Sequence, residues 1–186
     1  MEFFLDKIFA DDYFDNGGRN RMIDVVDRQI LSIVQQDARI SNAEIARQIG
    51  LAPSAVLERL RKLEERNVIQ GYSTRIDPRQ VGLGLTVFVS VRTSECGGGV
   101  DEALSAIPEV LEVHDVAGED CYLIKVRTKD TDALGRLLRE KIKLIPKVLG
   151  TRTTVVLQTF KETNALPLDR VGETSEPEQK RKVKGK

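Results

Sequence analysis

The sequence has 186 residues and no tryptophan, and aromatic residues make up only 5% of it. Proteins that bind single-stranded nucleic acid stack the bases on aromatic side chains, so this shortage disfavours that class. There is one histidine, and the two cysteines, Cys96 and Cys121, lack the spacing of zinc ligands. Zinc sites draw on several cysteine and histidine ligands. We therefore expect no metal site and no cofactor.

An excess of charge of either sign and long hydrophobic runs are also missing. Lysine plus arginine number 29, as do aspartate plus glutamate, so the formal net charge is zero. This balance disfavours a globally basic nucleic-acid coat and an acidic chaperone. No apolar run approaches the roughly 20 residues of a membrane span, and the N-terminus is acidic where a signal peptide is basic. Two cysteines without a motif fit a reducing compartment. We expect a cytoplasmic protein with no membrane partner.

The sequence pattern predicts five segments, of which two are folded domains. Hydrophobic residues at helical spacing characterise the first domain, and alternating strand and helix patterns characterise the second. The predicted segments are an extension, either disordered or a short helix, at 1–21; a helical domain at 22–69; a linker at 70–84, for which the family resemblance described below implies a hinge strand; a domain of strands and helices at 85–161; and a polar, disordered tail with a basic end at 162–186.

The first domain carries the start and stop signals of three helices. Ser41 and Glu44 have the spacing of a capping box, in which Ser41 accepts from the Glu44 N–H and Glu44 reaches back. Gly50 is suited to end that helix, and Pro53 is suited to begin the next one. A tight turn between two such helices predicts a helix-turn-helix, whose last helix lies in the DNA major groove.

The last of these helices has a polar outer face. If Val56, Leu60 and Leu63 face the core at 100° per residue, polar and basic residues turn outward, with Arg59 on one flank. Arginine can donate two hydrogen bonds to one guanine, and lysine can contact a guanine or a phosphate. The alternative is a solvated amphipathic helix in a small bundle. The predicted contacts to double-stranded DNA are Ser54, Ala55, Glu58, Arg59, Arg61 and Lys62.

The second domain alternates between strand and helix patterns. β-Branched and alternating residues predict strands, and apolar stripes that end before proline predict helices. The predicted order is a strand at 85–91, a helix at 100–107, strands at 110–117 and 121–127, a helix from 134 to 145, and a strand at 151–159. This βαββαβ order is that of the ferredoxin-like unit. We expect the sheet face without helices to be apolar and to need cover.

Many motifs of the chain, in order, resemble those of the Lrp/AsnC family of transcriptional regulators. They are the helices at 23–31 and 36–46, the recognition helix at 50–64, the hinge at 68–78, and the sensing-domain segments at 107–110, 117–123 and 153–157. The resemblance implies an α+β fold, with a winged-type helix-turn-helix domain followed by a ferredoxin-like effector domain. It also implies a bacterial or archaeal regulator that forms homodimers, often assembled into octamers.

The resemblance also implies a small-molecule site at a hairpin turn, at a contact between dimers. Gly118 lacks a side chain, so a carboxylate can approach the backbone N–H groups, while an acidic side chain can receive an ammonium. On residue types alone, a solvated hairpin turn is the simpler interpretation; the resemblance favours an amino-acid effector site. The predicted contacts are Gly118, Glu119, Asp120, Cys121 and Tyr122.

Two other function classes remain open from the sequence. An architectural chromosome-binding protein with low sequence specificity is the first, and the basic end of the tail agrees with it. A sirohaem-decarboxylase-like enzyme is the second, with His114 on the matching strand. A lone histidine on a strand is more often a packing or surface residue, and neither cysteine has an activating partner in sequence. We therefore expect no catalytic residues and no enzyme activity.

Overall fold

The computed structural model describes residues 23–168, which form two compact units. Within the described residues, the helical unit comprises 23–73 and 164–168, whereas the sheet unit is Thr74–Thr163. The predicted extension at 1–21 and the tail after residue 168 lie outside the described residues. Among the described residues, no helix is long and apolar enough to cross a membrane.

The helical unit contains α1 (Val25–Gln36), α2 (Asn42–Ile49) and α3 (Pro53–Glu65), as the sequence predicts. Their apolar faces meet in one core, since a helix buries its hydrophobic stripe against its neighbours. The short segment after Asn164 adds to it through Leu168. The fully packed core residues of this unit are Ile30, Leu31, Ile45, Ala46, Val56, Leu60 and Leu63.

Half of the predicted capping box at α2 forms. Ser41 Oγ accepts from the Glu44 N–H at 3.2 Å, and the helix ends at Gly50 with φ 71°. Glu44 does not reach back, because its carboxylate accepts from Arg47 at 2.9 and 2.6 Å and from Gln48 at 3.0 Å. An arginine one turn along the helix offers a charged donor, which competes well against a backbone N–H.

The sheet unit has the predicted order of elements. They are β1 (Leu85–Thr93), α4 (Val100–Ser105), β2 (Val110–Asp115), β3 (Tyr122–Thr128), α5 (Thr131–Glu140), a 3₁₀ turn (Ile142–Leu144) and β4 (Val148–Val155). The sheet order is β2-β3-β1-β4, with every neighbouring pair antiparallel. This topology is the ferredoxin-like arrangement that the sequence predicts.

The last strand ends four residues before the predicted end at 159. β4 pairs with β1 from Thr93↔Val148 to Val87↔Val155, and the Val156 N–H donates once more to Thr86 O at 3.0 Å. Continued in this register, Leu157 is opposite Leu85, the first residue of β1, so residues 158 and 159 extend beyond the strand that pairs with β4 in the described chain. β-Branched composition indicates a strand, but only an available neighbour fixes where it ends.

The segment 70–84, for which a hinge strand and linker are predicted, contains no strand in the single chain. Residues 66–84 contain turns and irregular backbone only. A strand needs a second backbone to satisfy its N–H and C=O groups, and none pairs with this segment in the described chain. Tyr72 instead donates its hydroxyl to Glu64 on α3 at 2.8 Å. Partial burial, followed by this carboxylate, raises the pKa of Tyr72 to about 12.

The two faces of the sheet differ in character. Val87, Val89 and Val91 of β1 are fully buried, with Ile124 and Val126 of β3, on the face where the hydrophobic core includes residues of α4 and α5. The other face is mixed rather than apolar, which corrects the expectation from the sequence. Antiparallel pairs point the same way, so this face carries Thr86, Phe88, Ser90, Arg92, Leu123, Lys125 and Arg127.

Carboxylates of the same chain pair with two of the cations on that mixed face, Lys125 and Arg127. Glu162, from the segment after β4, forms ion pairs with Lys125 and with Arg127, the latter at 2.9 Å. Lys125 also pairs with Glu112 of β2 at 2.9 Å. Glu162, ahead of Glu112, raises the pKa of Lys125, so this ammonium stays charged despite partial burial. Residue 162, placed by the sequence in a disordered tail, is therefore an ordered part of this face.

Candidate functional site

The recognition helix α3 is presented by the turn that precedes it. Gly50 lies in the left-handed region, and the Leu51 N–H donates to Ala46 O at 3.0 Å, which closes α2. Pro53 occupies the first turn of α3, and Ala52 before it provides no side-chain cap. A cap from Ser, Thr, Asn or Asp is worth about 1 kcal/mol. The backbone takes over part of this role, because Pro53 has no N–H and the Ala55 N–H donates to Ala52 O at 3.0 Å.

Five of the six predicted DNA contacts share the exposed face of α3. Val56, Leu60 and Leu63 are buried behind it. This is the arrangement of a reading helix, because its core side fixes the position while its outer side is open. The residues on the exposed face are Ser54, Ala55, Glu58, Arg61 and Lys62.

The basic side chains of this face are already paired with carboxylates. Arg61 contacts Glu58 at 2.9 Å and Glu65 at 2.6 Å, and Lys62 contacts Glu58 at 3.3 Å. Arg61, ahead of Lys62, holds the pKa of Glu58 below its usual value. Exposed ion pairs contribute little to stability. Arg61 can therefore exchange its contacts with Glu58 and Glu65 for a guanine edge or a phosphate at a small cost in free energy.

Arg59 is the predicted DNA contact that the structure places elsewhere. Its guanidinium lies 2.7 Å from Asp24 and 2.7 Å from Asp27, at the start of α1. Those two aspartates form a capping box: Asp24 accepts from the Asp27 N–H at 2.7 Å, and Asp27 reaches back. The exposed fraction of Asp27 is only 9%. Arg59 thus compensates two carboxylates and joins α3 to α1.

The predicted effector turn connects β2 to β3 in the sheet unit. The Val116 N–H donates to Cys121 O at 3.0 Å and closes the turn. Gly118 and Glu119 are exposed, and a Cβ built on Gly118 meets no heavy atom within 4 Å. Gly118 also lies outside the left-handed region. The space beside Gly118 is therefore open to a ligand, and the fold tolerates a side chain there.

Asp120 is paired with a residue that the sequence analysis missed. Its carboxylate, 15% exposed, accepts from Arg152 of β4 at 2.7 Å, while the Arg152 side chain is 70% exposed. The pair places a carboxylate and a partly free guanidinium side by side. The only sequence signal for Arg152 is an arginine between two threonines in a β-branched strand. The contact joins positions 32 residues apart, so local pattern cannot reveal it.

Cys121 and Tyr122 anchor a loop instead of lining an open site. Tyr122 is 2% exposed, and its hydroxyl accepts from the Gly97 N–H at 2.7 Å. Cys121 is bonded to Cys96, which corrects the interpretation of two separate thiols. The physical reason is the register: Val91 of β1 pairs with Tyr122, so the loop that leaves β1 passes the start of β3.

The structure also shows where the potential metal ligands and the single histidine lie in the described chain. No group of three or more potential metal ligands occurs between residues 23 and 168. His114 lies on β2 with more than half of its side chain exposed, 3.4 Å from Glu112. An exposed histidine beside one carboxylate has neither the enclosure nor the further polar groups of a catalytic pocket.

Known proteins match the chain in both units. Residues 23–64 match the AsnC-type helix-turn-helix domain, and residues 86–166 match the Lrp/AsnC ligand binding domain. The leucine-responsive regulatory protein of Escherichia coli (strain K12) is 38% identical over 148 residues, covering 77% of this chain and 90% of that protein. The same protein of Serratia marcescens gives the same values.

Solved structures agree with these matches. A feast or famine regulatory protein from M. tuberculosis, complexed with L-methionine, is 36% identical with a TM-score of 0.73, covering 77% of this chain and 98% of its own. A transcriptional regulator from Neisseria meningitidis, in complex with L-Met, is 28% identical with a TM-score of 0.74, covering 79% and 97%. The chain belongs to the Lrp/AsnC family of helix-turn-helix transcriptional regulators.

Proposed function

We propose that this regulator reads double-stranded DNA through the exposed face of α3. The observation that carries the proposal is the division of this helix into a buried apolar side and an open side with two cations. Ser54 and Ala55 are small and lie at the helix start, where base edges come closest. In the protein without DNA, Glu58 pairs with Arg61 and Lys62. When DNA is bound, Glu58 can accept a hydrogen bond from a cytosine amino group.

Replacing Arg61 with alanine is expected to weaken binding to a selected operator by roughly 5- to 100-fold, if the guanidinium forks onto guanine. The operator is first selected from random duplexes, and affinities are measured by fluorescence anisotropy. A phosphate contact instead weakens all sequences alike and lowers the salt slope by about one unit. Arg136→Ala, at an exposed position on α5, is the control. If Arg61→Ala and Lys62→Ala both bind every probe with the affinity of the wild type, the exposed face of α3 does not contact the DNA.

The proposed active form is a homodimer that assembles further, up to an octamer. Apolar side chains remain exposed on the sheet unit: Leu111 is 53%, Leu149 61% and Leu144 72% exposed. Leu111 lies on β2 and Leu149 on β4, the two edge strands of the sheet, where unpaired backbone and an exposed apolar side chain favour contact with another copy. Linked reading helices also gain affinity by effective concentration, which offsets the absence of net positive charge.

Light scattering at micromolar concentration is expected to give a mass of at least twice 20.8 kDa. Selected operators are then expected to be roughly palindromic, because two-fold symmetry places two reading helices one or more DNA turns apart. Leu111→Asp should lower the mass if that side chain is buried between copies, and Asp132→Asn serves as the exposed control. A monomeric wild type contradicts the proposal.

The proposed effector is an α-amino acid bound at the turn of residues 118–122. Two relatives are described in complex with methionine. In this chain, the Asp120–Arg152 pair offers a carboxylate for the ammonium and a guanidinium for the carboxylate of a zwitterion. The open space at Gly118 and the exposed Glu119 adjoin that pair. A ligand there acts as a switch when it favours one assembly over another.

Thermal-shift measurements with each free amino acid are expected to find an effector that stabilises the wild type by mass action. Gly118→Val and Arg152→Ala should each raise its half-saturation concentration tenfold or more, because one fills the open space and the other removes the carboxylate's partner. Asp115→Asn, at an exposed position at the end of β2, is the matched control. Folded variants that respond at an unchanged concentration would place the site elsewhere.

The proposed location is the cytoplasm, where the DNA is accessible, and the proposed role is regulatory and not enzymatic.

The architectural alternative predicts little preference between DNA sequences. The ratio of specific to non-specific affinity at fixed salt separates the two, because sequence-specific regulators typically exceed about a thousandfold. A ratio near one would favour an architectural protein.

A further inference from the structure

The bond between Cys96 and Cys121 joins the loop after β1 to the effector turn. The two Cα atoms are 5.6 Å apart, within the range that a disulfide requires. Cys121 is half-buried at the start of β3, whereas Cys96 is exposed in the loop. A reductant in solution can therefore reach one of the two sulfur atoms directly.

The non-covalent contacts of this loop are concentrated in its first part. The Ser94 N–H donates to Lys147 O at 2.9 Å, and the Thr93 hydroxyl donates to Glu95 O at 2.7 Å. The Gly97 N–H donates to the Tyr122 hydroxyl at 2.7 Å, and Glu95 forms an ion pair with Lys147. Three consecutive glycines at 97–99 follow, all with positive φ. Glycine loses the most conformational freedom on ordering, so this segment needs a restraint to stay ordered. The disulfide is the covalent restraint at its start.

The compartment makes this bond a candidate for regulation. A DNA-binding regulator works where DNA is, and there the thiol pool keeps most cysteines reduced. Disulfides that form in such a compartment are mostly transient and redox-sensing. Exposed disulfides are also the more labile ones. An exposed disulfide beside a ligand site, in a family of regulators, is thus placed to couple the two.

We propose that Cys96 and Cys121 form a reversible thiol–disulfide site whose oxidised state orders the loop 94–99 and prepares the effector turn. The proposal rests on the effector site proposed above. A low-molecular-weight thiolate attacks Cys96 Sγ, and the Cys121 thiolate leaves. A second such thiolate attacks the mixed disulfide, releasing the Cys96 thiolate and a small-molecule disulfide. Two thiols lose their protons and the two cysteines gain them, so the exchange is balanced and reversible.

The link to the effector site runs through adjacent residues. Cys121 follows Asp120 directly, and Asp120 holds Arg152 at 2.7 Å. In the oxidised state, Cys121 is fixed on one side by β3 and on the other by the loop. In the reduced state, the loop loses its covalent restraint and keeps only its non-covalent contacts, so more of the turn must be ordered when ligand binds. Preorganisation of a site lowers the cost of binding, so the oxidised protein binds more tightly.

The test compares the full-length protein in glutathione disulfide and in reduced glutathione. Alkylation and mass spectrometry count free thiols, and hydrogen exchange reports on peptides that cover residues 94–99. Affinity is measured for L-methionine and for the other free amino acids. We expect no free thiols when oxidised, two when reduced, loop exchange about tenfold faster in the reduced state, and effector affinity about five- to tenfold weaker.

Cys96→Ser and Cys121→Ser are expected to match the reduced wild type in both reagents. Ser94→Ala, at an exposed position in the same loop, keeps the disulfide and should still respond to redox state. Two free thiols in the oxidised sample, or equal loop exchange in the two states, overturns the proposal. Equal effector affinity in the two states also overturns it. If no amino acid binds in either state, the effector proposal fails, and loop exchange alone decides the role of the disulfide.

Discussion

Replacing Leu63 with alanine is expected to lower the free energy of unfolding of the helical unit by about 3 kcal/mol. Leu63 is 1% exposed on the inner side of α3 and belongs to the core that holds all three helices. Its carbonyl also accepts from the Val68 and Ile69 N–H groups at 2.9 and 3.1 Å, which fixes the chain after the helix. The truncation leaves a cavity that the close-packed neighbours fill only in part.

Leu57→Ala is the matched control for this prediction. It makes the same chemical change on the same helix, but Leu57 is 57% exposed. Its expected loss is below about 0.5 kcal/mol, as for surface substitutions in general. Urea unfolding followed by circular dichroism measures both variants. Equal losses for Leu63→Ala and Leu57→Ala would mean that α3 does not bury the side on which the proposed reading face depends.

The helices of this protein follow from local signals, which explains why the sequence predicts them well. Each signal acts at the end of its own helix. Ser41 accepts a hydrogen bond from a backbone N–H, Gly50 adopts a positive φ, and Pro53 has no N–H that needs an acceptor. The outward face of α3 follows in the same way, because a rotation of 100° per residue is a property of the helix alone.

Strand ends and side-chain partners depend on residues distant in sequence. β4 pairs with β1, which begins at Leu85, and no feature of residues 158 and 159 reveals that their partner strand does not reach them. The pairs Asp120–Arg152 and Cys96–Cys121 join positions 32 and 25 residues apart. The sequence therefore predicts an effector turn at residues 118–122, but it does not reveal that Asp120 is paired with Arg152 and that Cys121 is bonded to Cys96.

Arg59 shows the same limit on the helical side. Helical rotation puts it on the flank of the reading face, and an arginine there is consistent with DNA contact. The competing carboxylates, Asp24 and Asp27, lie 35 and 32 residues earlier in the chain. Two charge-assisted contacts to a capping box occupy the guanidinium in the free protein.

Arg59→Ala is expected to lower the free energy of unfolding of the helical unit by about 2 kcal/mol. Two hydrogen bonds between charged groups are lost, and Asp27 is left largely buried beside Asp24 without a cation. Partial exposure of Arg59 keeps the loss below that of a fully buried ion pair. Arg61→Ala is the matched control, since its ion pairs are exposed and its removal should change stability little.

The pH dependence of stability provides an independent check. The Asp27 N–H, together with Arg59, holds the pKa of Asp24 below its usual value near 3.8. A lowered pKa in the folded state contributes stability above the unfolded pKa, and this stability is lost as pH falls through the folded pKa. Wild-type stability should therefore fall more steeply below about pH 4 than that of Arg59→Ala. Parallel curves from pH 2.5 to 6 would contradict this role for Arg59.

DNA binding then separates a structural arginine from a reading arginine. At a temperature where Arg59→Ala is fully folded, we expect its operator affinity and base preferences to match those of the wild type, whereas Arg61→Ala loses affinity. A stable Arg59→Ala protein with altered preference at a single base pair would show that the guanidinium leaves Asp24 and Asp27 to contact guanine. In that case, the capping box of α1 would hold Arg59 only in the absence of DNA.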